Sequence, residues 1–133
     1  MYMEIQTDNP NEGYPFPCYS FDENKTVVLN TAYIMNCGSI DVRFILGVLN
    51  SCLGKFLVKL YVTQLQERQF RMLAQYVAKF PIVKPDRILE AKMVGLVSHL
   101  LIKNTSLFEE EINKLVNSCY HLTEEEINFL ENK

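Results

Sequence analysis

The spacing of apolar residues along the chain changes from a period of about 2 in its first third to about 3.6 beyond residue 40. Strands are therefore expected first and helices after. Residues 1–13 end in Asp8-Asn9-Pro10-Asn11-Glu12-Gly13, a run of turn formers that predicts a frayed, flexible lead-in or linker. From Tyr14 the pattern is extended: Phe16, Cys18 and Tyr19 to Phe21 precede a turn at Asp22-Glu23-Asn24-Lys25. Val27, Leu29, Thr31, Tyr33 and Met35 then alternate with Thr26, Val28, Asn30, Ala32 and Ile34. Both sets are fairly apolar, which predicts an inner or two-sided strand of a hairpin, closed by Asn36-Cys37-Gly38-Ser39.

The strongest helical signal covers residues 41–60, with Ser39 as the expected N-cap. Val42, Ile45, Leu46, Leu49, Leu53, Phe56, Leu57 and Leu60 recur at i, i+3/i+4 spacing and predict a wide buried stripe. The opposite stripe is small and basic: Arg43, Gly47, Asn50, Ser51, Gly54, Lys55 and Lys59. Each glycine inside a helix costs about 1 kcal/mol relative to alanine. Two explanations stand side by side, the close approach of another backbone and a solvated face with no packing demand.

Residues 61–71 lack glycine and proline, have poor helical spacing and are read as extended. Tyr76 to Val83 reads as a short strand, which Pro81 confines to an edge or an end. Pro85 leads into a helix over 87–103 with Leu89, Met93, Leu96, Val97, Leu100 and Leu101 on one face. Ser106-x-x-Glu109 and Thr123-x-x-Glu126 are capping boxes, each opening a further helix. Phe108, Ile112, Leu115, Val116 and Cys119 face inward from the first, Ile127 and Leu130 from the second. His121, in the link between them, occupies a place where positive φ is often needed. The expected fold class is α+β: a small antiparallel or mixed sheet, a long central helix and a C-terminal three-helix segment. Its parts are a lead-in over 1–13, a β-α-β unit over 14–85 and a helical tail over 86–133.

At 133 residues, 48% hydrophobic and 22% charged, the chain has the composition of one globular domain with a real core. No apolar run reaches the roughly 18 residues of a membrane span, and a polar, acidic start predicts no signal peptide. The expected compartment is the cytoplasm. Cys18, Cys37, Cys52 and Cys119 form no CxxC pair and have no histidine in zinc-ligand spacing; they read as reduced thiols and core filler.

The net charge of −3 argues at first against nucleic acid. Its distribution changes that: residues 1–42 carry −5, residues 43–92 carry +6 and residues 93–133 carry −4. A basic middle between acidic ends suits one polyanion-facing surface on an otherwise repulsive body. The alternative is solvated charge spread around helices.

The chain carries no GxGxxG, P-loop or GxSxG, and its glycines make no phosphate cradle. The glutamates at 109–111 and 124–126 lie in first helical turns, where they complement the helix dipole. His99 is read as a surface or core-edge residue. Asn9-Pro10-Asn11-Glu12 falls short of the Asn-Pro-Pro-aromatic motif of adenine methyltransferases, because Asn11 and Glu12 break it. No catalytic residue, metal ligand or cofactor site is expected in this chain.

Three segments, in order, resemble a known family. Phe44-Ile-Leu-Gly-Val-Leu-Asn-Ser-Cys-Leu-Gly-Lys-Phe56 is similar to its "LLAILNSKLxxF" helix, and Tyr76-Val-Ala-Lys-Phe-Pro-Ile-Val83 to its "YLxxLPIP" strand. Ile112 to Ile127, INKLVNSCYHLTEEEI, is similar to "IDxLVYxLYGLTEEEI". Together they resemble the TaqI-like C-terminal specificity domain, the target-recognition part of N6-adenine DNA methyltransferases of type II restriction-modification systems. His121 stands where the family has glycine and Val83 where it has a second proline.

The resemblance covers about residues 14–131 and implies a module that reads duplex DNA. It also implies that this chain is the C-terminal piece of a larger protein. A separate N-terminal domain would bind S-adenosylmethionine and methylate a flipped-out adenine, with or without a fused restriction endonuclease. The expected partners are duplex DNA and that methyltransferase domain, with no membrane, and with self-association through an exposed sheet edge. Variable DNA-facing loops of such domains fall between the long helix and the Phe80-Pro81 strand. Here that segment carries Gln64, Gln66, Arg68, Gln69 and Arg71, residue types suited to bidentate contacts with adenine and guanine. Lys55, Lys59 and Lys79 are the phosphate candidates. The alternative is a helical protein-interaction or structural unit with no DNA binding of its own.

Overall fold

The computed structural model describes residues 1–9, 11, 15–22, 24, 32–66, 68–103 and 106–132. They form an α+β fold with two small antiparallel sheets. The elements are β1 (Tyr2–Met3), β2 (Ile5–Thr7), β3 (Ala32–Tyr33), α1 (Val42–Leu49), α2 (Cys52–Tyr61), β4 (Thr63–Gln66) and β5 (Gln69–Arg71). After them come α3 (Ala74–Val77), α4 (Arg87–Ile102), α5 (Ser106–Cys119) and α6 (Glu124–Glu131). β1 pairs with β3, and the second sheet has the order β2-β5-β4. The helices pack α1 on α4 and α5, and α2 on α5 and α6. Phe44, Val48, Val58, Met72, Met93 and Val116 lie at the centre of the core.

The first correction concerns the lead-in expected over 1–13. Tyr2–Met3 and Ile5–Thr7 are strands, and the Tyr2 and Gln6 side chains are buried. Gln6 is 1% exposed and fully engaged. Its Oε1 accepts from Cys18 N at 2.8 Å, and its Nε2 donates to the Cys18 and Met3 carbonyls. One residue on, Asn50 Oδ1 accepts from Tyr19 N and Asn50 Nδ2 donates to Tyr19 O. Ser20 pairs with the Met1 backbone in both directions. Residues 18–20 thus lie extended without belonging to a ladder, because two side-chain amides and the chain start satisfy their backbone. The hairpin strand expected from Thr26 lies mostly outside the described residues; of its described part, Ala32–Tyr33 pairs with β1.

The second correction is the long central helix, which is two helices meeting at 74°. Asp41, not Ser39, caps α1; its carboxylate accepts from Arg43 N at 2.9 Å. The hydrogen bond with the Arg43 guanidinium is the main cause that holds the Asp41 carboxyl below its ordinary pKa. At the break, Ser51 caps α2, accepting from Gly54 N while its hydroxyl donates to Val48 O at 2.6 Å. Asn50 turns its amide to Tyr19, and Cys52 N donates to Asn113 Oδ1 at 2.9 Å. These bonds offer the backbone partners outside the helix ladder. The change of direction rotates the buried face, so Val58 enters the core and Leu60, expected inside, is 62% exposed. Both glycines are packing positions. Gly47 lets Met93 and Val97 of α4 lie against α1, and Gly54 lies against the Leu49 and Val48 carbonyls across the break.

The third correction is the strand expected over 76–83. Ala74–Val77 is a short helix, and the chain then runs through a turn into an irregular stretch. Leu73, Val77 and Phe80 have helical rather than alternating spacing, and Val77 and Phe80 are buried. Tyr120 grips the irregular stretch: its hydroxyl donates to Pro81 O at 2.6 Å and accepts from Val83 N at 3.2 Å.

The three tail helices form where the pattern expects them, except that Ser106, expected as an N-cap, is the first residue of α5. Asp86 caps α4, which buries Met93 and Val97; Leu101, at its far end, is exposed. α5 buries Ile112, Val116 and Cys119, and α6 opens with both hydrogen bonds of the Thr123–Glu126 capping box. α5 ends with His121 at φ 53°, Leu122 N donating to Asn117 O and His121 N to Ser118 O. This is a Schellman cap, whose left-handed position glycine occupies with less strain. His121→Gly should therefore stabilise the chain by about 1 kcal/mol, read as a rise of roughly 3 °C in the midpoint of thermal unfolding.

All four cysteines are free, and burial raises each thiol above its ordinary pKa, which keeps them weakly reactive. Among the described residues no single helix is long and apolar enough to cross a membrane.

Candidate functional site

The extended reading of 61–71 corresponds to a hairpin, β4–β5, whose register sorts the candidate residues by face. Ile5, Arg71 and Thr63 lie in one cross-strand row, and Thr7, Gln69 and Gln66 in the next. These two rows form the outer face of the sheet. Gln6, Phe70 and Gln64 form a row on the other face, where Gln6 and Phe70 are buried in the core. Three of the five recognition candidates, Gln66, Gln69 and Arg71, therefore share one surface, and Gln64 is separated from them. Its Nε2 donates to Gln66 O at 3.1 Å instead.

Arg68 stands at the tip of the hairpin, exposed, with φ at 66°. Its carbonyl accepts from Asp8 N at 2.7 Å, continuing the β2–β5 pairing by one step. The Asp8 side chain in turn meets two lysines of α2 that lie one turn apart: Lys55 Nζ at 3.4 Å and Lys59 Nζ at 2.9 Å. Burial would raise the Asp8 carboxyl, but the bond with Lys59 and the charges of Lys55 and Lys59 outweigh it and leave the pKa below its ordinary value. Lys55 and Lys59 thus converge on the carboxylate of Asp8, whose backbone N–H is held by the Arg68 carbonyl and which the turn-forming run places in a lead-in.

Arg71 is half-exposed and paired with Glu4 at 3.6 Å; Glu4 also accepts from the Tyr33 hydroxyl at 3.1 Å. Lys79 lies elsewhere, exposed beyond α3. It neighbours Tyr76, whose phenol is held below its ordinary pKa by hydrogen bonds with the Thr63 and Gln75 side chains first, and also by the Lys79 charge. The acids Asp8 and Glu4 are the residues the sequence reading missed. A run of strand-forming residues at Tyr2 to Thr7 was the available signal, and the turn formers after it masked it.

β4 is an edge strand with all four residues exposed, the kind of edge that pairs with other chains. Its register shifts between Gln64 and Gln66, and the Gln64 amide covers the Gln66 carbonyl, two features that blunt such an edge.

Among the described residues no three His, Cys, Asp or Glu side chains are placed to hold a metal ion. A cavity of about 430 Å³ opens between residues 15–19 and the α1–α2 junction, against Val97, Leu100 and Ile112. Its amides, Asn50 and Asn113, are engaged in holding the fold. His99 stacks on Phe108 at 5.4 Å between ring centroids, a packing role between α4 and α5. No protein-family model matches the chain, and neither does any curated protein or solved structure.

Proposed function

We propose that the chain recognises duplex DNA, as the target-recognition module of an N6-adenine methyltransferase of a restriction-modification system. The outer face of the β2-β5-β4 sheet would present Gln66, Gln69 and Arg71 to base edges, with Lys55 and Lys59 on phosphates. The observation that carries this reading is Arg68, an exposed arginine held in the left-handed backbone conformation at the hairpin tip. That conformation costs a non-glycine residue about 1 kcal/mol, and strain of this kind gathers at functional sites. An arginine there offers an exposed guanidinium, the group best fitted to guanine and phosphate, on the residue whose carbonyl holds Asp8 N.

Arg68→Gly separates function from stability because the two effects have opposite signs. The variant should unfold about 1 kcal/mol harder, because the strain is relieved. It should bind duplex DNA roughly tenfold more weakly, with Arg71→Glu adding to the loss. Fluorescence anisotropy on a labelled duplex, together with thermal unfolding, reads both. Unchanged affinity and target choice would remove the hairpin from the site.

A second reading has its own observation. Leu101, Ile102, which is 87% exposed, and Leu107 are exposed apolar side chains at the end of α4 and the start of α5, a composition suited to a neighbouring protein domain. DNA affinity independent of salt would favour that reading, because phosphate contacts impose a salt slope.

A further inference from the structure

We infer that Lys55 and Lys59 form a phosphate subsite at the base of the hairpin tip, in which the Asp8 carboxylate stands where a backbone phosphate binds. The inference rests on the DNA reading and assigns a role to Asp8 within the same site. Three observations carry it. The two ammonium groups, one helical turn apart, converge on separate oxygens of a single carboxylate, at 3.4 and 2.9 Å. That arrangement also fits two oxygens of a phosphate. Lys55 and Lys59 keep about a third of their side-chain surface exposed, against 16% for Asp8, so the cations face the solvent that a nucleic acid would displace. Asp8 itself is tied by its backbone to Arg68, which places the subsite beside the projecting arginine.

Exchange between the two anions is energetically accessible. Ion pairs at this exposure contribute little each, whereas a duplex phosphate gains from the release of condensed counterions. The Asp8 side chain can rotate away while its N–H stays on the Arg68 carbonyl. With Asp8 in place the lysines are held in position and partly neutralised, which lowers affinity for any polyanion and restricts binding to one that can displace the carboxylate.

The test compares the wild-type chain with Asp8→Asn and with Asp8→Asn/Lys55→Ala/Lys59→Ala on two probes, a labelled duplex over a range of salt and inorganic tripolyphosphate. Asp8→Asn should bind the duplex about fivefold more tightly at low salt, with a salt slope steeper by about one phosphate contact. The triple variant should lose both gains. Asp8→Asn should bind tripolyphosphate more tightly as well, again only with both lysines present. Equal affinity and slope in wild type and Asp8→Asn, with a lowered unfolding midpoint, would overturn the inference and make Asp8 a structural tie alone. Lysine-dependent tripolyphosphate binding without duplex binding would keep the subsite and sink the DNA reading. Binding of neither probe by any variant would overturn both.

Discussion

Replacing Gly54 by alanine will cost the chain about 3 kcal/mol or more, although alanine is the better helix former by about 1 kcal/mol. Gly54 sits in the first turn of α2, where the two helices meet at 74°. A Cβ there would overlap the Leu49 carbonyl oxygen and come within 2.7 Å of the Val48 oxygen. Both obstacles are backbone, so relief requires opening the angle between α1 and α2. That angle carries Phe44 and Val48 on one side and Leu57 and Val58 on the other, all buried. Gly47→Ala is the informative contrast. Its nearest obstacle is the Met93 side chain, which can change rotamer, so the cost should be smaller. Chemical unfolding of both variants checks the order, and a Gly54→Ala chain as stable as wild type would show that the break is not a rigid packing element.

Asn50→Ala comes next in size, at about 2–3 kcal/mol, the cost of leaving backbone groups unpaired away from water. The amide holds the Tyr19 N–H and C=O and also donates to Leu46 O at 3.1 Å. Its loss removes one of the two side-chain ties on residues 18–20, with Gln6 remaining on Cys18. Asn50→Asp is the stringent control. It keeps the acceptor for Tyr19 N but turns an oxygen toward the Tyr19 carbonyl, so it should destabilise almost as much. Urea unfolding gives the magnitude, and hydrogen exchange at the Tyr19 amide localises it. Retained protection of that amide in Asn50→Ala would mean that the segment is held by packing instead.

These positions bear on how the resemblance motifs work. Asn50 and Ser51 make the helix break, Pro81 to Val83 are gripped by Tyr120, and Asn113 caps Cys52 from α5. Asn50, Ser51, Asn113 and residues 81–83 therefore hold the scaffold, while Lys55, also within the first motif, belongs to the proposed DNA face.

The extended character of 61–71 is legible in its poor helical spacing and in Val62 and Phe70; Thr63–Gln66 and Gln69–Arg71 take that form, whereas Tyr61 ends α2. Which of its side chains share a face was not. The register shift between Gln64 and Gln66 decides that, and a bulge leaves no mark in a run such as Thr63-Gln64-Leu65-Gln66. The lysines of α2 were legible as charge, but their convergence on Asp8 was not. They were read on one unbroken face, with Asp8 in a loose lead-in.

By itself the sequence determined the α+β class, the three tail helices with the Thr123–Glu126 box, the left-handed cap at His121 and the basic middle. Each depends on residues no more than about five apart, whose interactions are built into local helix and turn geometry. Only the tertiary structure decided the break at Asn50–Ser51, the pairing of Tyr2 to Thr7 and the place of Asp8. Those features rest on partners far along the chain: Gln6 with Cys18 across 12 residues, Tyr19 with Asn50 across 31 and Cys52 with Asn113 across 61. Locally, Asn50 and Ser51 can serve either a helix interior or a cap, because their side chains compete for nearby backbone groups. The hydrogen bonds waiting on Tyr19 and Asn113 tip the balance.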